Sequence, residues 1–436
     1  MSLPLDRSLK IRDSLPESGL FAEKSWRISP DPFPLDKKTV KKLERLGPIF
    51  YRFQKAADLI YRRSRKGGLP KWVADYLDAG KPSELIEQGL SGTFTEAVPR
   101  VIRPDLLLTE NGFTASELDS VPGGIGLTAW LAEVYARANP DKKIIGGEMG
   151  MVEGFRSIFP KGSADILVSD EAADYRPEME WLVRERLGNE FDVHRAESYQ
   201  PSGRDLYRFY ELFDIPNIPD ALEWGRKAAG GEFALTSPHK PWLEEKMWSA
   251  LFWSNPLRDV WIPELRAANY QRLKDVFPQS WIVDPAEVPH YATIPGLEIQ
   301  SFEELKGFSQ TQRELVLKLS GFNERAWGSR SVSIGHDLSK SEWCEAVEEA
   351  INSFDSSPYV LQRFHQSMKI THNWLNEETK LIEKMEGRVR LCPYYFVDAI
   401  SDKVRLCGVL ATICPSDKKI IHGMSESILV PCCVTS

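Results

Sequence analysis

The chain has 436 residues, of which 42% are apolar and 27% charged, and its formal net charge is −8. Such a composition has length enough for two or three packed domains and excludes collagen-like and disordered classes. The negative balance speaks against non-specific attraction to nucleic acid or to an anionic membrane. The sequence holds no run of the roughly 18 apolar residues that a spanning helix needs. Its first ten residues lack the charged-then-apolar order of a secretory signal, so a cytoplasmic protein is expected.

Residues 1–37 are polar and Pro-rich (Ser29-Pro-Asp-Pro-Phe-Pro), which predicts an extended lead-in on the surface rather than a core element. From Lys38 to Arg65 apolar residues recur at three-to-four spacing (Val40, Leu43, Leu46, Ile49, Phe53), the pattern of a helix, and a second helical run covers 70–89.

A hairpin follows. Asp105–Thr109 and Phe113–Asp119 flank Glu110-Asn111-Gly112, and Asn-Gly between apolar runs is a strong turn signal. A two-residue turn at Asn111-Gly112 would set Asp105 opposite Leu118. A three-residue turn with Gly112 left-handed, followed by a bulge, sets Asp105 opposite Glu117, and this second register is expected. It gathers Arg103, Asp105, Glu117 and Asp119. Three close carboxylates repel unless something cationic sits among them, and oxygen-only ligands suit Mg²⁺ or Mn²⁺ rather than zinc. The plainer reading is an acidic hairpin with a wet face. Next comes the Gly-rich turn Ser120–Gly126, running into a helical pattern over 127–137. Bare backbone at a helix start approaches an anion closely, although Gly and Pro also serve as ordinary punctuation.

Lys142-Lys-Ile-Ile-Gly, a helical stretch from Met151, Ala164–Ser169, a helical stretch from Arg176 and Phe191–Ala196 then alternate as parallel βα units do. Residues 204–275 read as mostly helical and aromatic-rich, from Leu206-Tyr-Arg-Phe-Tyr-Glu-Leu-Phe to Trp242–Trp253. A third region opens near 280. Its core is the strand Glu314–Lys318, a glycine-bearing loop, the strand Ser331–Ile334, the helix Ser341–Phe354 and the strand Tyr359–Phe364.

Lys318 stands at the mouth of its strand, facing a loop that contains Ser320, Gly321, Arg325, Gly328 and Arg330. A compact charge beside flexible backbone N–H groups is equipped to hold polyphosphate oxygens. A solvent-exposed lysine beside a polar loop is the alternative. Gln362, an amide among apolar neighbours, is placed to read adenine. No P-loop motif occurs, and Gly123-Gly-Ile-Gly126 lacks the dinucleotide-binding order. The six cysteines (344, 392, 407, 414, 432, 433) show no Cys-x-x-Cys pairing and are expected as reduced, partly buried thiols.

The Lys318 strand, its loop and the Gln362 strand together resemble the ATP-binding half of an ATP-grasp ligase. In that superfamily the acidic metal-binding residues normally follow the hinge strand, whereas here they precede it. This inverted order resembles the circularly permuted ATP-grasp proteins typified by the synthetase domain of glutathionylspermidine synthase. The family's Arg-x-Asp and Glu-x-Asn recur as Arg103-Pro-Asp105 and Glu117-Leu-Asp119, with Asp119 where the family usually has Asn.

The resemblance implies a fold of α+β / α/β class, a circularly permuted ATP-grasp with a pre-ATP-grasp-like βα domain. It divides the chain into an N-terminal region (1–94), a metal-binding hairpin (95–135), βα units with an aromatic helical region (136–279) and a nucleotide-binding region (280–436). It further implies that Asp105, Glu117 and Asp119 ligate Mg²⁺ and that Arg103 stabilises the charge of phosphoryl transfer. Lys318, the 320–330 loop and Gln362 would hold ATP, with Lys274 as the candidate second ATP-contacting lysine. The activity implied is joining a small-molecule carboxylate to an amine through an acyl-phosphate. An ATP-dependent phosphotransferase and a catalytically lapsed binding module are the alternatives. The amidase half of the bifunctional relative has no counterpart, since no Cys precedes 344 and no His precedes 194. Arg156, Arg204 and Arg208 are candidate anchors for an acidic substrate or plain ion-pair partners, and His422-Gly423-Met424 is a candidate cleft-lining segment.

Overall fold

A computed structural model describes residues 3–17, 19–20, 25–326, 330–421 and 426–435, so Gly328 and His422-Gly423-Met424 lie outside the described residues. In chain order the first strands are β1 (Phe33–Leu35), β2 (Val101–Thr109), β3 (Gly112–Asp119), β4 (Lys143–Ile144), β5 (Ala164–Val168), β6 (Phe191–Arg195), β7 (Asp205–Phe209) and β8 (Leu235–Thr236). They are followed by β9 (Ser280–Ile282), β10 (Leu315–Leu319), β11 (Val332–Ile334), β12 (Tyr359–Arg363), β13 (Lys369–Asn376), β14 (Leu381–Val397), β15 (Val404–Pro415) and β16 (Ile428–Val434). Two compact units form. One comprises Met1–Tyr51, Ala97–Pro238 and Gln366–Ser436, the other Arg52–Glu96 and His239–His365. No helix among the described residues is long and apolar enough to cross a membrane.

The first unit holds a large mixed sheet ordered β1-β16-β15-β14-β2-β3, with β13 added to β14 and β4 to β16. Its backbone is the long antiparallel pair β14–β15, whose inward residues Val389, Leu391, Tyr395, Ala411 and Ile413 are fully buried. Strand β2 adds antiparallel to β14, with Leu106 opposite Leu391 and Ile102 opposite Tyr395, so the early hairpin extends a sheet built from the far end of the chain. Helix Ile125–Ala138 packs against β15 and β16 and is buried along most of its length, Trp130 and Tyr135 included. A second, all-parallel sheet runs β6-β5-β7-β8. Its central strands β5 and β7 are buried at every position, as parallel strands covered on both faces are.

Four expectations are corrected here. The lead-in is a core element: helix Pro4–Asp13 buries Ile11, and β1 pairs parallel with β16 through Phe33 and Leu35. Lys143–Ile144 joins the large sheet, antiparallel to β16, instead of opening the parallel series. Leu206–Phe209 is strand, not helix. A segment covered on both faces loses its period of two, so its pattern does not separate strand from buried helix. The run 70–89 breaks into helices Trp72–Asp78 and Ser83–Gly89 around Gly80, where φ is +70° and a Cβ would stand 2.0 Å from the Ser356 carbonyl oxygen.

The second unit is built on the antiparallel sheet β11-β10-β12-β9. Leu315, Leu317, Leu319, Leu361 and Trp281 form its apolar face, covered by Trp343 and Val347 of helix Lys340–Asn352. The helix opens with a reciprocal cap between Ser339 and Glu342. Beside the sheet Phe53, Phe252, Trp261 and Phe277 form a cluster in which Phe53 stacks on Trp261 at 5.1 Å. Lys240, with no exposed surface, is neutralised by Asp58 at 2.8 Å, and Trp242 donates its indole N–H to the same carboxylate. Asp58→Ala should therefore lower stability by about 3–5 kcal/mol, because it strands a buried ammonium; urea unfolding of the variant against the parent checks this.

Candidate active site on the β2–β3 hairpin

The hairpin closes over two residues, Glu110-Asn111, with Thr109 opposite Gly112. This corrects the three-residue turn. Continued without interruption, that pairing would set Asp105 opposite Ser116. An extra residue at Ser116 resets it, and Asp105 faces Glu117 while Arg103 faces Asp119. The expected carboxylate pairing is thus present, produced by a bulge in mid-strand and not by the turn. Alternation then puts Arg103, Asp105, Glu117 and Asp119 on one face.

Arg103 holds this face together. Its Nη2 lies 2.9 Å from Asp119 Oδ2, its Nε lies 3.1 Å from Asp105 Oδ1, and its Nη1 donates to the Gly123 carbonyl at 3.1 Å. A second guanidinium arrives from β14: Arg390 Nη1 donates to Asp105 Oδ2 at 2.6 Å. The Cys392 thiol points at the same carboxylate, 3.4 Å from Oδ1. Burial pulls the Arg103 pKa down, but Asp105 and Asp119 carry it well above its ordinary value. Burial pushes the Asp119 carboxyl up, against the pull of Arg103 and with help from Glu117. The Cys392 thiol is pushed up to about 12 by burial, which keeps it protonated and inert.

The Gly-rich turn behaves differently from the expectation of an anion cradle open to ligands. Its N–H groups already have an anion. The Glu178 carboxylate accepts from Gly124 N at 2.7 Å and from Leu127 N at 2.8 Å, capping helix Ile125–Ala138 from the neighbouring helix Arg176–Leu182. Glu178 has no exposed surface. The turn needs its glycines for this approach: at Gly126 a Cβ would meet the Glu178 carbonyl at 2.1 Å, and Gly124, at φ +87°, would meet the Tyr394 hydroxyl at 2.5 Å. Burial pushes the Glu178 pKa up to about 7, against the backbone N–H groups and Arg103.

In the second unit Lys318 Nζ donates to Gln362 Oε1 at 2.9 Å, and Gln362 Nε2 reaches Ser280 Oγ at 3.3 Å. These three polar residues share the sheet face opposite the apolar core, since Gln362 pairs with Val316 and Ser280. The following loop is tied down at its start. Ser320 Oγ donates to Glu245 and accepts from Met247 N, while Lys246 Nζ donates to the Ala326 carbonyl at 2.8 Å. Gly321 lies so close to this segment that a Cβ would meet the Glu244 carbonyl at 2.9 Å. Lys274 stands over the Trp253 ring at 4.0 Å, and burial lowers its pKa.

The structure thus joins Arg103, Asp105 and Asp119 directly, with Glu117 opposite Asp105, and joins Lys318 with Gln362. Among the described residues no group of three or more His, Cys, Asp or Glu side chains is arranged to hold a metal ion. Asp105, Glu117 and Asp119 are hard oxygen donors of the right kind, but in this arrangement guanidiniums stand where a cation would. Of the candidate substrate anchors, Arg204 pairs with the buried Asp165, Arg156 donates to the Leu187 carbonyl, and Arg208 is buried and donates to the Ser237 and Tyr210 carbonyls. Sequence reasoning missed Arg390, Cys392 and Tyr394, although their strict alternation along one strand was a visible signal. It also missed Glu178, for which the sequence offers none.

No family model and no curated protein matches the chain. Among solved structures it resembles a glutathione synthetase-like effector from Globodera pallida in its apo form, with a TM-score of 0.55, 10% identity, and coverage of 100% of this chain and 98% of that one. The two share a similar fold, which in this chain is a mixed α/β architecture of several sheets. A protein provisionally named γ-glutamylcysteine synthetase from Methylobacillus flagellatus aligns at a TM-score of 0.37 and 11% identity over 85% of this chain and 86% of its own, too slight a likeness to bear on the fold.

The Glu178 carboxyl carries a pH dependence with a definite sign. Between its ordinary 4.5 and about 7 the folded chain keeps a proton that the unfolded chain has released. Its contribution to stability is complete below 4.5 and is lost as the pH rises through 7. Urea midpoints measured across that window should fall more steeply for the parent than for Glu178→Gln.

Proposed function

We propose that the chain is an ATP-dependent carboxylate–amine ligase of the ATP-grasp kind, acting through an acyl-phosphate. The observation that carries this reading is the Arg103–Asp105–Asp119–Arg390 cluster, with Glu117 opposite Asp105. Two partly buried guanidiniums beside three carboxylates suit a reaction in which negative charge moves between oxygens, and no side-chain nucleophile is needed. The likeness of the fold to a glutathione synthetase-like protein supports a synthetase. The attachment of β2 to β14 supports the permuted order, since it seats an early acidic hairpin beside strands that follow the Gln362 strand.

In this reading Lys318, Gln362, Ser320 and Gly321 bind ATP, with the 320–330 loop over its phosphates. The Lys318–Gln362 hydrogen bond supports it by presenting one ammonium and one amide on a polar sheet face. Lys274 is the candidate second lysine, and Lys246, which holds the start of that loop, is a further one. On the hairpin, Arg103 and Arg390 exchange carboxylate partners for phosphate oxygens when the nucleotide enters. Asp105, Glu117 and Asp119 would then be the residues to hold Mg²⁺ or Mn²⁺, whose charge would offset that of the triphosphate. Small-molecule carboxylate and amine substrates follow from the reaction class.

The exchange of partners makes a prediction of its own. Calorimetric titration should find Mg²⁺ binding weakly by itself and tightly with a non-hydrolysable ATP analogue; tight binding of Mg²⁺ alone would refute the exchange. Asp105→Asn, which keeps volume while removing charge, should cut acceptor-dependent ADP release by roughly 100-fold or more, and Lys318→Ala should lower the same turnover mainly through KM for ATP. ADP release with mixed amino acids or polyamines as acceptors, and amide in the product, tests the ligase. Phosphorylated product would favour the phosphotransferase, and absence of nucleotide binding the lapsed module.

A further inference from the structure

We propose that Glu178 is a positioning residue that sets the geometry of Arg103 through the backbone of the Gly-rich turn. The proposal rests on the ligase reading only for its kinetic consequence. Arg103 donates to Asp119 and to the Gly123 carbonyl and forms an ion pair with Asp105, and the carbonyl fixes the orientation of the guanidinium plane. Gly123 belongs to a turn with little side-chain mass to anchor it. Contacts that hold that turn include Ser237 Oγ, which donates to Ser120 O at 2.7 Å, Asp119 Oδ1, which accepts from Val121 N at 2.9 Å, the Tyr394 hydroxyl, which donates to Gly123 O at 2.7 Å, and Glu178, which accepts from Gly124 N and Leu127 N. Two of these lie on the hairpin face or its neighbouring strand. Glu178 is the one that pins the turn to helix Ile125–Ala138, and it does so on the residue immediately after Gly123.

The chemistry of the carboxylate matters here. Above about pH 7, where Glu178 is ionised, two backbone donors converge on its two oxygens, an arrangement that a carboxylate satisfies and a carboxamide does not, because the amide nitrogen would face one N–H with another. Gly124 and Gly126 are required for the close approach, so no other side chain of the turn can take over the anchoring. Tyr175 packs against the same turn, its ring occupying the space a Cβ on Gly123 would need. Once the turn loosens, the Gly123 carbonyl no longer has a fixed position, and Arg103 turns toward its two carboxylates alone.

The test reads Arg103 directly in the full-length protein without ligands. Side-chain guanidinium NMR signals of Arg103, assigned by their loss in Arg103→Lys, should shift in Glu178→Gln, and their proton exchange should quicken by roughly tenfold, the factor for one lost hydrogen bond. Glu178→Asp keeps the charge but is one methylene short, and should show a smaller change in the same direction. Unchanged Arg103 signals in a folded Glu178→Gln overturn the proposal. If that variant does not fold, unchanged signals in Glu178→Asp do so. Kinetics separate this from the ligase reading: with an active parent, kcat should fall while KM for ATP holds. Displaced Arg103 signals in a protein whose parent shows no turnover would sink the ligase and leave the positioning role standing.

Discussion

Like charge on one sheet face is the constraint around which the first unit is organised. Asp105, Glu117 and Asp119 lie within one hairpin, and Asp105 is almost fully buried. Carboxylates so placed stay ionised only if cations lie among them, because burial and mutual repulsion both favour the protonated form. Arg103 comes from the hairpin itself and Arg390 from β14, so Asp105 gains its second cation only where β2 has joined the sheet. Folding of the site and assembly of the sheet are in that sense one event. The bulge at Ser116 belongs to the same logic, since without the extra residue Asp105 would face a serine and Glu117 would turn to the other side.

The legible part of this was local. Asn-Gly and the flanking apolar runs located the hairpin, and the demand that Asp105 meet Glu117 selected the right pairing even though the turn proposed to produce it was wrong. A bulge in mid-strand leaves no composition signal, whereas a turn does, so the extra residue was assigned to the turn. Helices Lys37–Arg65 and Lys340–Asn352 were legible for the same reason, one apolar stripe each. Illegible elements owe their structure to distant partners. β1 and β4 are two or three residues long and exist because β16 pairs with them. β7 is buried throughout, Asp205 and Arg208 included, because both faces are covered, and its aromatic residues read equally well as helix. Arg390 and Glu178 enter the site from segments that follow the hairpin by many residues, and only the assembled sheet and helix pair bring them there.

In the second unit the division of labour is between faces of one sheet. The period of two sends Leu315, Leu317 and Leu319 to the core and leaves Lys318 on the opposite face with Gln362 and Ser280. The Lys318 ammonium donates to the Gln362 amide oxygen there, whereas Lys240 is buried against the Asp58 carboxylate. The anchoring of Ser320 by Glu245 and Met247 fixes where the loop leaves the sheet, and Lys81 supplies the counter-charge at 2.5 Å that lets Glu245 be buried there.

Asp119 stands where the family it resembles usually has Asn, and the geometry gives that departure a local cause. Its two oxygens serve two donors from different directions, Val121 N at one and Arg103 Nη2 at the other. An asparagine offers a single carbonyl oxygen, and its amide nitrogen would face one of those donors. With aspartate the face carries three carboxylates against the two guanidiniums of Arg103 and Arg390, a surplus of one negative charge that asparagine would remove. Aspartate thus has a definite structural role here: one carboxylate holds both Arg103 and the start of the Gly-rich turn at Val121.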